Sequence, residues 1–310
     1  MVNFRYHLVS LIAVFVALSL GVILGAGPLQ TPLGDALSRG DSSSGADVSG
    51  QLQRAKTQLD QQAKVFASLG DDVLPGTLAG VAVALVVLPG ANEEAVKDVR
   101  SDLQTAGANV AGEVSLTDNW DSQAMVSYRA SLSTPVATHL STQANADDTA
   151  DTIIGRAVVE VLTSTGSEQD LLKQILTAKE SPILSLEVDP KGGAQAVVVI
   201  GADSADATSG TDTAQSSAAG GGTPSAWIGL ATAVAKAPSS GVVLGDASGE
   251  SSMIAQIRSA GVGVTTVDSV GTQLGALNTA LALSSAGSTA RAYGVGDGAQ
   301  AALADLPHKG

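Results

Sequence analysis

The feature that most constrains this chain is a stretch of twenty residues, Leu8 to Gly27, that reads LVSLIAVFVALSLGVILGAG without a single charge. At about 1.5 Å rise per residue, a helix of that length spans roughly 30 Å, the thickness of a bilayer's hydrocarbon core. The sequence therefore predicts one transmembrane helix. Arg5 precedes the run and the next charged residue is Asp35. Positive charge on the short side puts the N-terminus in the cytoplasm and the bulk of the chain outside, in a periplasm-like space. Residues 1–27 then form a cytoplasmic stub and an inner-membrane anchor. A second reading stays open: a signal peptide cut at the small residues Gly25, Ala26 and Gly27. The run exceeds the apolar core of a usual signal peptide, which favours the anchor.

Behind the anchor the chain changes character twice. Residues 28–47 are rich in Gly, Ser and Asp behind Pro28 and Pro32, the composition of a linker. From Val48 to Leu69 a heptad pattern sets in. Leu52, Leu59 and Phe66 recur every seven residues, and Val48, Ala55 and Leu69 lie three or four away among Gln, Lys and Asp. That spacing predicts a coiled-coil-like helix over 48–74 and, through it, a homo-oligomer. The alternative is an amphipathic helix laid on its own domain.

Beyond Pro75 the period switches again. Gly80–Leu88 is a continuous β-branched run, as expected of a strand buried on both faces. Asn92 opens a helix to about Ala106, with Glu93 and Glu94 in its first turn. Further strands are expected at Asn109–Leu116, Ile183–Val188, Ala196–Ile200, Gly241–Leu244 and Gly263–Val267. Helices are expected at Asp147–Leu162, Glu168–Lys179, Ser225–Ala235, Ser252–Ala260 and Thr272–Ser284. Strand alternating with helix predicts an open, mostly parallel α/β domain over 75–310, outside the membrane. The Ser, Thr, Ala and Gly tract at 203–224 reads as a disordered insertion.

Composition narrows the chemistry. Sixteen Lys and Arg against thirty Asp and Glu leave a net charge of −14, and aromatic residues are only 3%, so nucleic acid is excluded as a partner on both charge and stacking grounds. The absence of cysteine removes disulfides, thiolate metal sites and cysteine nucleophiles. No GxSxG, HExxH or Walker A pattern occurs, and His7, His139 and His308 are scattered. The expectation is a chain that is not an enzyme and carries no cofactor. Asp189, Asp203, Asp246 and Asp268 each follow a predicted strand, where an open α/β sheet binds ligands, and together could hold a hard divalent cation. Asp is also favoured in turns for local hydrogen bonding, which accounts for them without a metal. Gly294, Gly296 and Gly298 in YGVGDGAQAAL resemble a phosphate-cradling loop that opens a helix, although Asp297 would repel phosphate there.

Two segments carry a family resemblance. The opening MVNFRYHLVSLIAVFVALSLGVILGAGPL, with Arg5, Tyr6 and His7 before the apolar run, resembles the start of the actinobacterial MctB copper transport family. The C-terminal stretch with Val267 and Asp268, then Gly275, Leu281–Leu283, Tyr293 and Gly294, Gly298 and Ala299, and Leu306 and Pro307 resembles that family's end. Ala292 stands directly before Tyr293, where the resemblance implies a His. The resemblance implies copper efflux or homeostasis, with copper as transported ion and an outer-membrane location. Cu(I) favours Cys, Met or imidazole, and beyond its first residue the chain offers only Met125 and Met253 as soft ligands. That content predicts a role in assembly or regulation rather than conduction. The chain also resembles SteB, the membrane-anchored partner of SteA in cell separation, which implies a coiled-coil scaffold with a SteA-like membrane partner.

Overall fold

The computed structural model of the chain describes residues 43–203, 222–285 and 289–306. Leu8–Gly27 with its flanking Arg5, Tyr6 and His7, and positions 204–221 of the insertion, lie outside the described residues. Among those described, no helix is long and apolar enough to cross a membrane. The chain divides into two units, Met1–Gln61 and Gln62–Gly310.

Helix α1 runs Ser43–Val73. It begins inside the stretch expected to be linker and runs without an interrupting proline until it stops just before Pro75. Leu52 and Leu59 are exposed, whereas Phe66, Leu69 and Val73 pack on the core of the second unit.

That core forms around strands β1 (Ala82–Val87) and β4 (Ala196–Ile200), which pair in parallel. Val83 and Leu85 face one core, and Ala84 and Val86 the other. Both faces are buried, which is why the sequence reads as an unbroken apolar run instead of an alternation. Around them lie β2 (Asn109–Leu116), β3 (Leu184–Val188), β5 (Ser240–Leu244), β6 (Thr265–Val267) and β7 (Ala292–Tyr293), in the order β3-β2-β1-β4-β5-β6-β7. Every pair is parallel except β3 with β2. The ladders shorten outward, from five pairs between β4 and β5 to three and then two.

Helices cover both faces. One carries α2 (Glu93–Thr105), α9 (Gln273–Ser284) and the end of α1. The other carries α5 (Ala150–Thr163), α6 (Ser167–Leu176), α7 (Pro224–Val234) and α8 (Met253–Ser259). Asn92 caps α2 by accepting from Glu94 N at 2.8 Å, as its position predicted. Helices α5 and α7 touch through backbone: a Cβ on Gly155 would lie 2.9 Å from Gly229 O, and one on Gly229 would lie 2.6 Å from Asp151 C.

The sequence reading missed α3 (Asp118–Asp121), α4 (Val126–Ala137) and β7. The ends of the expected insertion also differ: Gly222 bridges to Ser122, Thr223 is buried, and Pro224 starts α7.

Candidate functional site

The strand order reverses between β1 and β4, so an open sheet of this kind has its crevice at their carboxyl ends. Asp203 follows β4 there, beside Gly271 of the loop before α9. Asp246 follows β5 and accepts within its own turn, from Ser248 N at 3.0 Å and the Ser248 hydroxyl at 2.8 Å. Asp268 follows β6. Asp189 does not join them. Because β3 runs antiparallel, its carboxyl end lies at the opposite edge of the sheet, where Asp189 pairs with Lys173 at 3.0 Å. Among the described residues no three His, Asp or Glu side chains form a group able to hold a metal ion. Of the soft ligands, Met253 is buried with its side chain against Gly201 and Gly245, and Met125 lies in the 3-10 turn before α4.

Asp268 anchors the most elaborate arrangement at this edge. Its side chain is 3% exposed. One oxygen accepts from Val295 N at 2.7 Å and the Ser269 hydroxyl at 2.8 Å; the other accepts from Gly296 N at 3.0 Å and Arg258 Nη1 at 3.2 Å. Arg258 reaches over from α8 and also donates to Tyr293 O at 3.1 Å, Thr266 Oγ1 at 3.0 Å and Asp297 O at 2.8 Å. A Cβ on Gly294, at φ +126°, would overlap the Asp268 carboxylate, and one on Gly296 would press on Ala247. The glycine-rich loop is thus a cradle, and it holds the protein's own carboxylate. It opens no helix: Gly294 N donates back to Ala301 O at 2.9 Å, and the tail is fixed on α9 by Asn278, which donates to Ala302 O and accepts from Ala304 N.

Four positions of the family resemblance therefore meet in space. Val267 pairs with Tyr293 across β6 and β7, and Asp268 lies against Gly294. Ser269 takes φ +67°, a conformation rare outside glycine, directly after the buried carboxylate.

A second polar hub escaped the sequence reading. Arg129 of α4, 1% exposed, donates from Nε to Asp151 at 2.7 Å, from Nη1 to Ser122 O at 2.7 Å and from Nη2 to the Thr223 hydroxyl at 3.1 Å. Asp151 also accepts from Ser225. Beside them burial pushes the Asp121 carboxyl up to about 6, against the opposing pull of the Trp227 indole N–H and Arg129. The Trp120 indole nitrogen is buried without a partner. These residues tie α3, α4, α5 and α7 together. No local spacing announces them, because they come from four separate segments.

His139 makes a 2.7 Å contact with Glu168. On α2, burial raises the Asp102 carboxyl to about 6, helped by the charges of Asp98 and Asp71.

The chain matches the family model described as "Copper transport outer membrane protein, MctB" over residues 1–304. It is 32% identical over 127 residues to proteins called copper transporter MctB from Mycobacterium tuberculosis and Mycobacterium bovis. The matched stretch covers 39% of this chain and spans 39% of the length of those relatives. Neither comparison supports a cell-separation scaffold.

Proposed function

Because the chain belongs to the MctB family, whose model it matches from residue 1 to 304, we propose that it acts in copper transport or copper homeostasis as a membrane-anchored envelope protein. The match along nearly the whole chain is the observation that carries this reading. In it, Leu8–Gly27 holds the protein in the inner membrane and the α/β domain works on the outer side. The domain serves as a binding or assembly module and not as the conduit. Two features favour that division. The parallel strands are buried under helices on both faces, whereas an outer-membrane barrel turns every second residue of each strand to lipid. The Asp268 and Arg258 groups that crowd the sheet edge are taken up by each other and by neighbouring backbone and hydroxyl groups, and neither a carboxylate nor a guanidinium is a ligand that Cu(I) favours.

The test is cell-associated copper in a deletion strain grown with added copper. Copper is expected to rise on deletion and to fall again on complementation with the full chain. A deletion strain with unchanged copper would overturn the reading.

A further inference from the structure

Helix α1 carries one heptad seam with two fates. Its a positions are Leu52, Leu59, Phe66 and Val73, and its d positions are Val48, Ala55, Gln62 and Leu69. Phe66, Leu69 and Val73 are packed against the core formed by α2, α9 and their strands. On the same line, earlier in the helix, Leu52 is 70% exposed and Leu59 64%. A surface helix that packed only on its own domain would have no reason to keep leucines at seven-residue spacing beyond the point where that packing stops.

We propose that the N-terminal half of this seam, through Gln62, pairs in parallel with the same segment of a second copy of this chain, and that the seam passes from partner to own domain at Gln62. Three observations select a second copy as the occupant. The exposed apolar positions hold the a and d spacing that interdigitates with an identical helix. The flanking positions Gln51, Lys56, Gln58 and Ala63 carry one charge, and in a parallel pair Lys56 faces Gln51, so self-pairing brings no like charges together. Gln62 is a polar residue at a d position, a device that fixes register and marks where the seam ends. The parallel direction rests on the proposed anchor, since two chains entering one membrane by Leu8–Gly27 leave it side by side. A paired seam that ends at Gln62 spans few heptads, and sharing one membrane raises the effective concentration of the pair.

The chain lacks cysteine, so single introduced cysteines report without background. Full-length protein in membranes, carrying Leu52→Cys, Ala55→Cys or Leu59→Cys, is expected to form a dimer with a short bis-maleimide. The yield should stand several-fold above that of Thr57→Cys on the opposite side of the helix. Phe66→Cys and Leu69→Cys are expected to stay monomeric, and adding Leu59→Asp to Ala55→Cys is expected to abolish its dimer. Equal yields at 55 and 57, a dimer at only one of 52, 55 and 59, or dimers that continue through 66 and 69 would each overturn the proposal. Retention of the parent protein in carbonate-washed membranes reads the anchor separately, so loss of the anchor and loss of pairing give different results.

Discussion

The Asp268 carboxylate accepts four hydrogen bonds, two from backbone N–H groups of the glycine-rich loop, one from Ser269 and one from Arg258. Removing it takes away the counter-charge of the Arg258 guanidinium, which keeps its three other acceptors, and leaves two loop amides without an acceptor. Asp268→Ala is therefore expected to cost about 3–5 kcal/mol in urea unfolding, and Asp268→Asn, which keeps the shape and one acceptor, to recover part of that loss. Gly294→Ala is expected to destabilise comparably while leaving every charge in place, because its methyl group needs the space the carboxylate fills. Asp102 works in the opposite sense. Its carboxyl is raised from 3.8 to about 6, first by burial and then by Asp98 and Asp71, so the folded protein holds that proton more tightly than the unfolded chain does. The ionised form opposes folding at neutral pH, and this penalty fades as pH falls through about 6 toward 3.8. Asp102→Asn is expected to raise the melting temperature at pH 7 and to converge with the parent below pH 4.

At the level of elements, what was legible depended on whether a segment makes its own pattern. Strands β2 and β4 fall at the expected boundaries, since a run such as AVVVI can only be a doubly buried strand in this setting. Helices α3 and α4 were illegible because the residues α4 buries are Arg129, Ser133 and Val136, with Pro135 inside it, so no apolar stripe advertises the helix. Strand β7 has two residues and is held by hydrogen bonds from elsewhere. For the candidate site, Val267–Asp268 and Tyr293–Gly294 stood out as motifs, but their meeting is a property of the sheet order. The glycines pointed to a cradle and concealed what fills it. The contact of α5 with α7 was equally hidden, because Gly155 and Gly229 lie far apart in sequence and only their backbones touch. Gly229→Ala would push its methyl into the Asp151–Thr152 peptide, and the expected loss is about 1–3 kcal/mol in urea unfolding with the slope of the transition unchanged.

For the whole molecule, the scarcity of soft ligands in the sequence predicts a weak direct hold on Cu(I). Met253 is a core residue, cysteine is absent, and among the described residues no cluster of three His or acidic side chains forms a metal site. The purified full chain is expected to surrender Cu(I) completely to a strong chelator in a competition titration, and stoichiometric retention would contradict that. The tapering of the sheet has a further consequence. Strands β1 and β4 are bonded on both sides along five or more residues, whereas β7 has two pairs and depends on the Asp268 lock. Local opening draws first on the least-bonded elements. Amide deuteration should therefore advance inward from Tyr293, reaching the two central strands last, so that the C-terminal edge can loosen and reclose while the rest of the domain keeps its shape.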